Sequence, residues 1–122
     1  MDLFSKLFGG VSKPQQDSEH AVIIHFNYGQ PNLDPLFDLD EKLREAISQA
    51  DAGEYDGHEI AMDLSDGSLY MYGPDAYKLY SAVEPILVSA SFMIGATARL
   101  RFGPPKDGIR EELIKIKPQS IS

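Results

Sequence analysis

The chain of 122 residues contains no cysteine, which excludes a disulfide scaffold, a cysteine-ligated zinc site, an iron–sulfur cluster and a thiol nucleophile. The absence fits a reducing compartment, and a cytoplasmic location is expected. Lysine and arginine are also scarce: eleven stand against nineteen acidic residues, for a net charge of −8. They form no run of the kind that tracks phosphates, so nucleic acid is not an expected partner. No apolar run approaches the roughly 20 residues needed to span a bilayer. The amino terminus lacks the longer apolar core and cleavage site of a secretory signal, so export is not expected either. No recognisable catalytic motif is present, and no cofactor is expected.

What is present is a repeated punctuation. Phe26-Asn27-Tyr28-Gly29-Gln30-Pro31, Tyr70-Met71-Tyr72-Gly73-Pro74 and Leu100-Arg101-Phe102-Gly103-Pro104 are each an aromatic-ended run halted by glycine and proline. Such a signal ends a strand by removing a ladder donor or demanding an unusual turn. Helix-like segments follow the first two, so the chain reads as two consecutive β-α-β halves. The length suits one domain, and a 43% hydrophobic and 25% charged composition is ordinary for one.

Residues 1–19 read as an amphipathic stretch and linker, 20–117 as the folded domain and 118–122 as a tail. Leu3, Phe4, Leu7 and Phe8 fall at helical spacing. Two turns with one lysine give only weak membrane contact through residues 1–10, and docking on the domain or on a partner, or simple disorder, is the commoner fate. A first strand is expected over Ala21–Tyr28, then a helix N-capped by Asp34 and ended by Gly53, with Leu36, Leu39, Leu43 and Ile47 as its apolar stripe. A second strand over His58–Leu64 should meet a third over Ser68–Tyr72 across an Asp66-Gly67 type I′ turn. That register sets Leu64 against Leu69, Met62 against Met71 and Asp63 against Tyr70. A second helix from Asp75 carries Leu79, Val83, Ile86 and Leu87, with a kink or restart at Pro85. Strands over Ala96–Phe102 and Glu111–Lys117 close the pattern.

This order is the α+β, ferredoxin-like split β-α-β sandwich, βαββαβ plus a C-terminal fifth strand, with two helices on one face of an antiparallel sheet. Its usual strand order is 4-1-3-2, with the fifth strand beyond the fourth; a bent sheet of different order is the competing arrangement. The other face is left open. It should display Ile23, His25 and Asn27 centrally, Tyr70 and Tyr72 beside them, Arg99 and Arg101 on the far side, and Glu59 and Asp63 on the second strand. Tyrosine and arginine are enriched where proteins bind partners, though they also form ordinary cross-strand pairs. Self-association through this face, or cover by the amino terminus, is the third reading.

Catalytic signals are thin. His25, His58, Glu59 and Asp63 could supply metal ligands, but their spacing matches no ligand motif and adjacent strand residues point to opposite faces, so no metal is expected. His25 beside Tyr70 or Arg99 could form an acid–base pair, although a hydrogen-bonded surface histidine is commoner. Asp63 to Gly67 lacks most ligands of a calcium loop.

The strings Gly53-Glu54-Tyr55-Asp56-Gly57-His58-Glu59, Asp66-Gly67-Ser68-Leu69-Tyr70-Met71-Tyr72-Gly73-Pro74-Asp75-Ala76 and Arg101-Phe102-Gly103-Pro104-Pro105 resemble a group of small uncharacterised bacterial proteins. The likeness runs from about Ala21 to Ile116. It implies a compact bacterial domain and assigns no catalytic residue. The expected function is a non-enzymatic protein-binding or regulatory module using the open face, its acidity suiting a cationic partner. The alternative is a small-molecule-binding domain or enzyme with His25, Tyr70, Tyr72 and Arg99 lining a site, completed by a second subunit.

Overall fold

The computed structural model describes residues 19–118. The apolar stripe from Leu3 to Phe8 and most of the expected linker lie outside the described residues, as does the tail beyond Pro118. The elements are β1 (His20–Asn27), α1 (Asp34–Ala50), β2 (Glu54–Ile60), β3 (Asp66–Gly73), α2 (Ala76–Val88), β4 (Thr97–Arg101) and β5 (Glu111–Lys115), with a short 3-10 turn at Ser91–Met93. The five strands form one antiparallel sheet in the order β2-β3-β1-β4-β5. In each half, a strand and its helix lead to a strand two places away, and a strand of the other half fills the gap. Among the described residues, no helix is long and apolar enough to cross a membrane.

Alternation explains the layering. Val22, Ile24 and Phe26 of β1, Leu69 and Met71 of β3, and Ala98 and Leu100 of β4 point to one face and are buried. There they meet Leu36, Leu39, Leu43 and Ile47 of α1 and Leu79, Val83 and Leu87 of α2. The first helix lies over β2, and the second over β1, β3 and β4.

Several local expectations are corrected. Helix α1 is capped at Leu33 without a side-chain bond, and Asn32 Oδ1 accepts the Asp34 N–H instead, at 2.9 Å. Its far end closes at Asp51, whose left-handed φ of 51° lets Asp51 and Ala52 donate back to Ser48 and Ile47. Gly53 serves a different need: a Cβ there would lie 2.0 Å from the Tyr72 carbonyl oxygen. Helix α2 runs unbroken through Pro85. Pro85 and Ser81 are both exposed, so the carbonyl that loses its donor faces water, and the buried stripe holds the helix together. Asp75 does cap α2, accepting from Tyr77 and Lys78 N–H.

The largest correction is the β2–β3 turn. Asp66-Gly67 is not the turn; both residues belong to β3, and Gly67 pairs with Ile60. The chain reverses over Met62 to Ser65, with Leu64 at φ 63°, and Ala61 N–H donates to Asp66 O at 2.8 Å. Leu69 therefore pairs with His58 rather than Leu64, and Met62, expected against Met71, is fully exposed. Two contacts explain the shift. Tyr28 and Gly29 N–H donate to Ser65 and Leu64 carbonyls, anchoring the turn to the end of β1. Gly67 is needed for close approach, because a Cβ there would lie 2.5 Å from Glu59 O and 3.1 Å from Phe26 Cζ.

Candidate functional site

Pairing aligns the open face in three rows. Glu54, Tyr72, Ala21, Arg101 and Glu111 form the first, and Gly57, Tyr70, Ile23, Arg99 and Leu113 the second. Glu59, Ser68, His25, Thr97 and Lys115 form the third. The middle of this face is a shallow depression of about 450 Å³ bordered by Ile23, His25, Ser68, Tyr70, Thr97, Arg99 and Leu113. Its floor is apolar and its rim polar and cationic. Leu113 is 65% exposed and stands on the open face of the edge strand β5.

Each expected residue has a definite place. His25, Tyr70 and Arg99 converge on the depression. Tyr72 and Arg101 flank Ala21 in the next row, and that alanine is fully buried. Asn27 is exposed at the end of β1, opposite Asp66. Asp63 is corrected: it sits in the turn rather than on the face, and its Oδ1 accepts the Ser65 N–H at 3.0 Å. The Ser65 hydroxyl first, and this backbone bond second, hold the Asp63 carboxyl below its ordinary range.

Neighbours occupy much of the polar capacity. Tyr70 donates to Glu59 Oε1 at 2.8 Å, and that carboxylate raises the phenol pKa because it accepts from the protonated form. The Tyr72 phenol is raised chiefly by burial, with Asp56 adding and Arg101 opposing. Arg101 Nε donates to Gly103 O at 2.7 Å, which ties it to the strand end. Arg99 lies 3.9 Å from Glu111 and keeps over half its side-chain surface in water.

His25 partners neither Tyr70 nor Arg99. Its Nδ1 lies 3.3 Å from Ser68 Oγ and its Nε2 3.7 Å from Asp66 Oδ2. The connectivity is that of a serine–histidine–carboxylate set. A 3.7 Å separation exceeds a hydrogen bond, however, and a ring 63% exposed lacks the water-excluded surroundings that make such groups effective.

A second cluster, absent from the sequence-based expectations, lies on the helix-covered side between α1 and β2. Asp40 occupies the buried stripe of α1. Its carboxylate accepts from Tyr55 Oη at 2.5 Å and meets His58 Nδ1 at 2.9 Å. Phe37 packs beside the His58 ring and Arg44 over the Tyr55 ring. Burial first, then the Asp40 bond and charge, push the Tyr55 phenol far above its ordinary range. The available signal was an aspartate between Leu39 and Leu43 in an apolar stripe, where a carboxylate needs partners. The bulge between Tyr55 and Gly57 hides the match, because it turns Tyr55 to the same side as His58 despite their odd spacing. The cluster is self-satisfied and ties α1 to the sheet edge. Among the described residues, no group of three or more histidine, aspartate or glutamate side chains is arranged to hold a metal ion.

Comparison with protein-family models, with curated proteins and with solved structures gives no match.

Proposed function

We propose that this chain is a non-enzymatic protein-binding module of a reducing compartment such as the bacterial cytoplasm, built on a ferredoxin-like scaffold with an added edge strand. Its partner docks on the open sheet face. One observation carries the reading: the exposed apolar residue of that face, Leu113, borders a shallow depression with Ile23, Tyr70, Arg99 and His25. An apolar floor within a polar, aromatic and cationic rim is the layout of a protein interface. The alternation of covered and open layers supports the scaffold assignment, and the exposure of His25 and Arg99 favours binding over catalysis.

The test is affinity capture with the intact chain and with a Tyr70→Ala/Arg99→Ala variant, followed by hydrogen-exchange mapping of the captured complex. A protein retained by the intact chain alone, with protection confined to β1, β3, β4 and β5, supports the reading. Equal retention by both, or protection on the helices, refutes it. A small-molecule reading rests on the depression's volume of about 450 Å³, which falls in the range of ligand sites. It predicts a metabolite-dependent rise in melting temperature that the same variant abolishes.

A further inference from the structure

The sheet ends at β5, and its last edge is regular. Phe102 N–H donates to Arg110 O at 3.0 Å, and Ile116 N–H to Ala96 O at 2.9 Å. Main-chain groups alternate in direction along a strand. Arg110, Glu112, Ile114 and Ile116 therefore face β4, whereas Glu111, Leu113 and Lys115 aim their N–H and C=O groups outward. Among the described residues no strand pairs with that side. The opposite edge, β2, is broken by its bulge, a common way to blunt an edge. No register shift interrupts the pairing of β5.

The residues of β5 indicate what would fit there. Glu111-Glu112-Leu113-Ile114-Lys115, laid antiparallel to a copy of itself about Leu113, sets Glu111 opposite Lys115 of the copy and Leu113 opposite Leu113. Two opposite-charge pairs then flank an apolar pair on the open face, where the leucine is 65% exposed. On the other face, Glu112 meets Ile114. The chain as a whole carries −8, yet from Lys106 to Lys117 cations outnumber anions by one. The edge is thus spared the repulsion that two copies meet over most of their surface.

We propose that β5 is a self-complementary edge through which two copies of this chain join, by twofold symmetry, into one continuous sheet. The joined sheet sets the two depressions side by side, because Leu113 borders its own depression and lies at the symmetry axis. Each depression gains the leucine of the second copy as part of its wall. A pairing this short falls below the ~1,200 Å² of a standard interface, so the dimer is concentration-dependent. The inference does not depend on the partner-binding reading, since it is tested without a partner.

The experiment is sedimentation equilibrium of the full chain and of two variants, Glu111→Lys and Lys115→Glu, from micromolar to millimolar concentration. The unaltered chain should rise from 13.5 kDa towards twice that mass. Each variant sets like charges across both flanking pairs and should weaken association about tenfold or more. An equimolar mixture of the two variants should regain association, because every flanking pair is again of opposite charge. Circular dichroism verifies folding, which both exposed positions should preserve; if either variant unfolds, Leu113→Asp replaces it and should also weaken association. A constant mass for the unaltered chain overturns the proposal. So does undiminished association of the folded variants, or a mixture that stays monomeric.

Discussion

The two faces of this sheet use the same residue types to opposite ends. On the covered side, Tyr55, Asp40 and His58 form a compact set in which the carboxylate is 9% exposed and bonded by both neighbours. On the open side, Tyr70, Glu59, His25 and Asp66 form looser pairs in contact with water, one of them stretched to 3.7 Å. A tyrosine, a histidine and a carboxylate in proximity therefore do not by themselves mark a functional site. Burial with complete mutual satisfaction makes a structural tie, whereas exposure with spare capacity leaves groups free for a partner.

Substitutions should separate the two faces sharply. The largest effect is expected from Asp40→Ala, which leaves Tyr55 Oη and His58 Nδ1 without their acceptor. A loss of about 3 kcal/mol in urea unfolding is expected, and a loss under about 1 kcal/mol would mean that water replaces the carboxylate. Next comes alkaline pH. The Tyr55 phenol stays protonated in the folded chain, whereas in the unfolded chain it ionises near pH ~10. Its contribution is therefore intact below about pH 10 and lost as pH rises, by about 1.4 kcal/mol per pH unit. Tyr55→Phe should cost about 1 kcal/mol at neutral pH and flatten the alkaline decline by one proton. An unchanged slope would assign the decline to other tyrosines, such as Tyr28 and Tyr80, which burial also raises. The smallest effect is expected on the open face: Arg99→Ala removes a screened pair at 3.9 Å and should alter stability by less than about 0.5 kcal/mol. Partner retention should still fall, and a larger stability loss would make Arg99 a structural residue.

The site was legible where alternation sufficed. His25, Tyr70 and Arg99 reach the same depression because strand parity alone assigns their face. Spacing sets β5 beside β4 without a register, so only the pairing of Arg99 with Leu113 brings Leu113 to the rim. Local preference puts Asp63 on the face through a two-residue turn at Asp66-Gly67, whereas the docking of Tyr28 and Gly29 onto the actual turn, a long-range contact, keeps it in the loop. The Asp40 cluster depends on a helix, a strand and a bulge at once.

The number and kind of elements, the buried stripes of β1, β3, β4 and the two helices, the cap at Asp75 and the parity that leaves one face open are all set by the sequence alone. These follow from spacing, capping and strand alternation, which act over a few neighbouring residues. The β2–β3 register, the close approach at Gly67, the continuity of α2 through Pro85 and the partners of Asp40 emerge only in the folded chain. Each of these depends on contacts between residues distant in the chain or on which groups face water. Local preferences of about 1 kcal/mol yield to such contacts when they satisfy buried donors and acceptors.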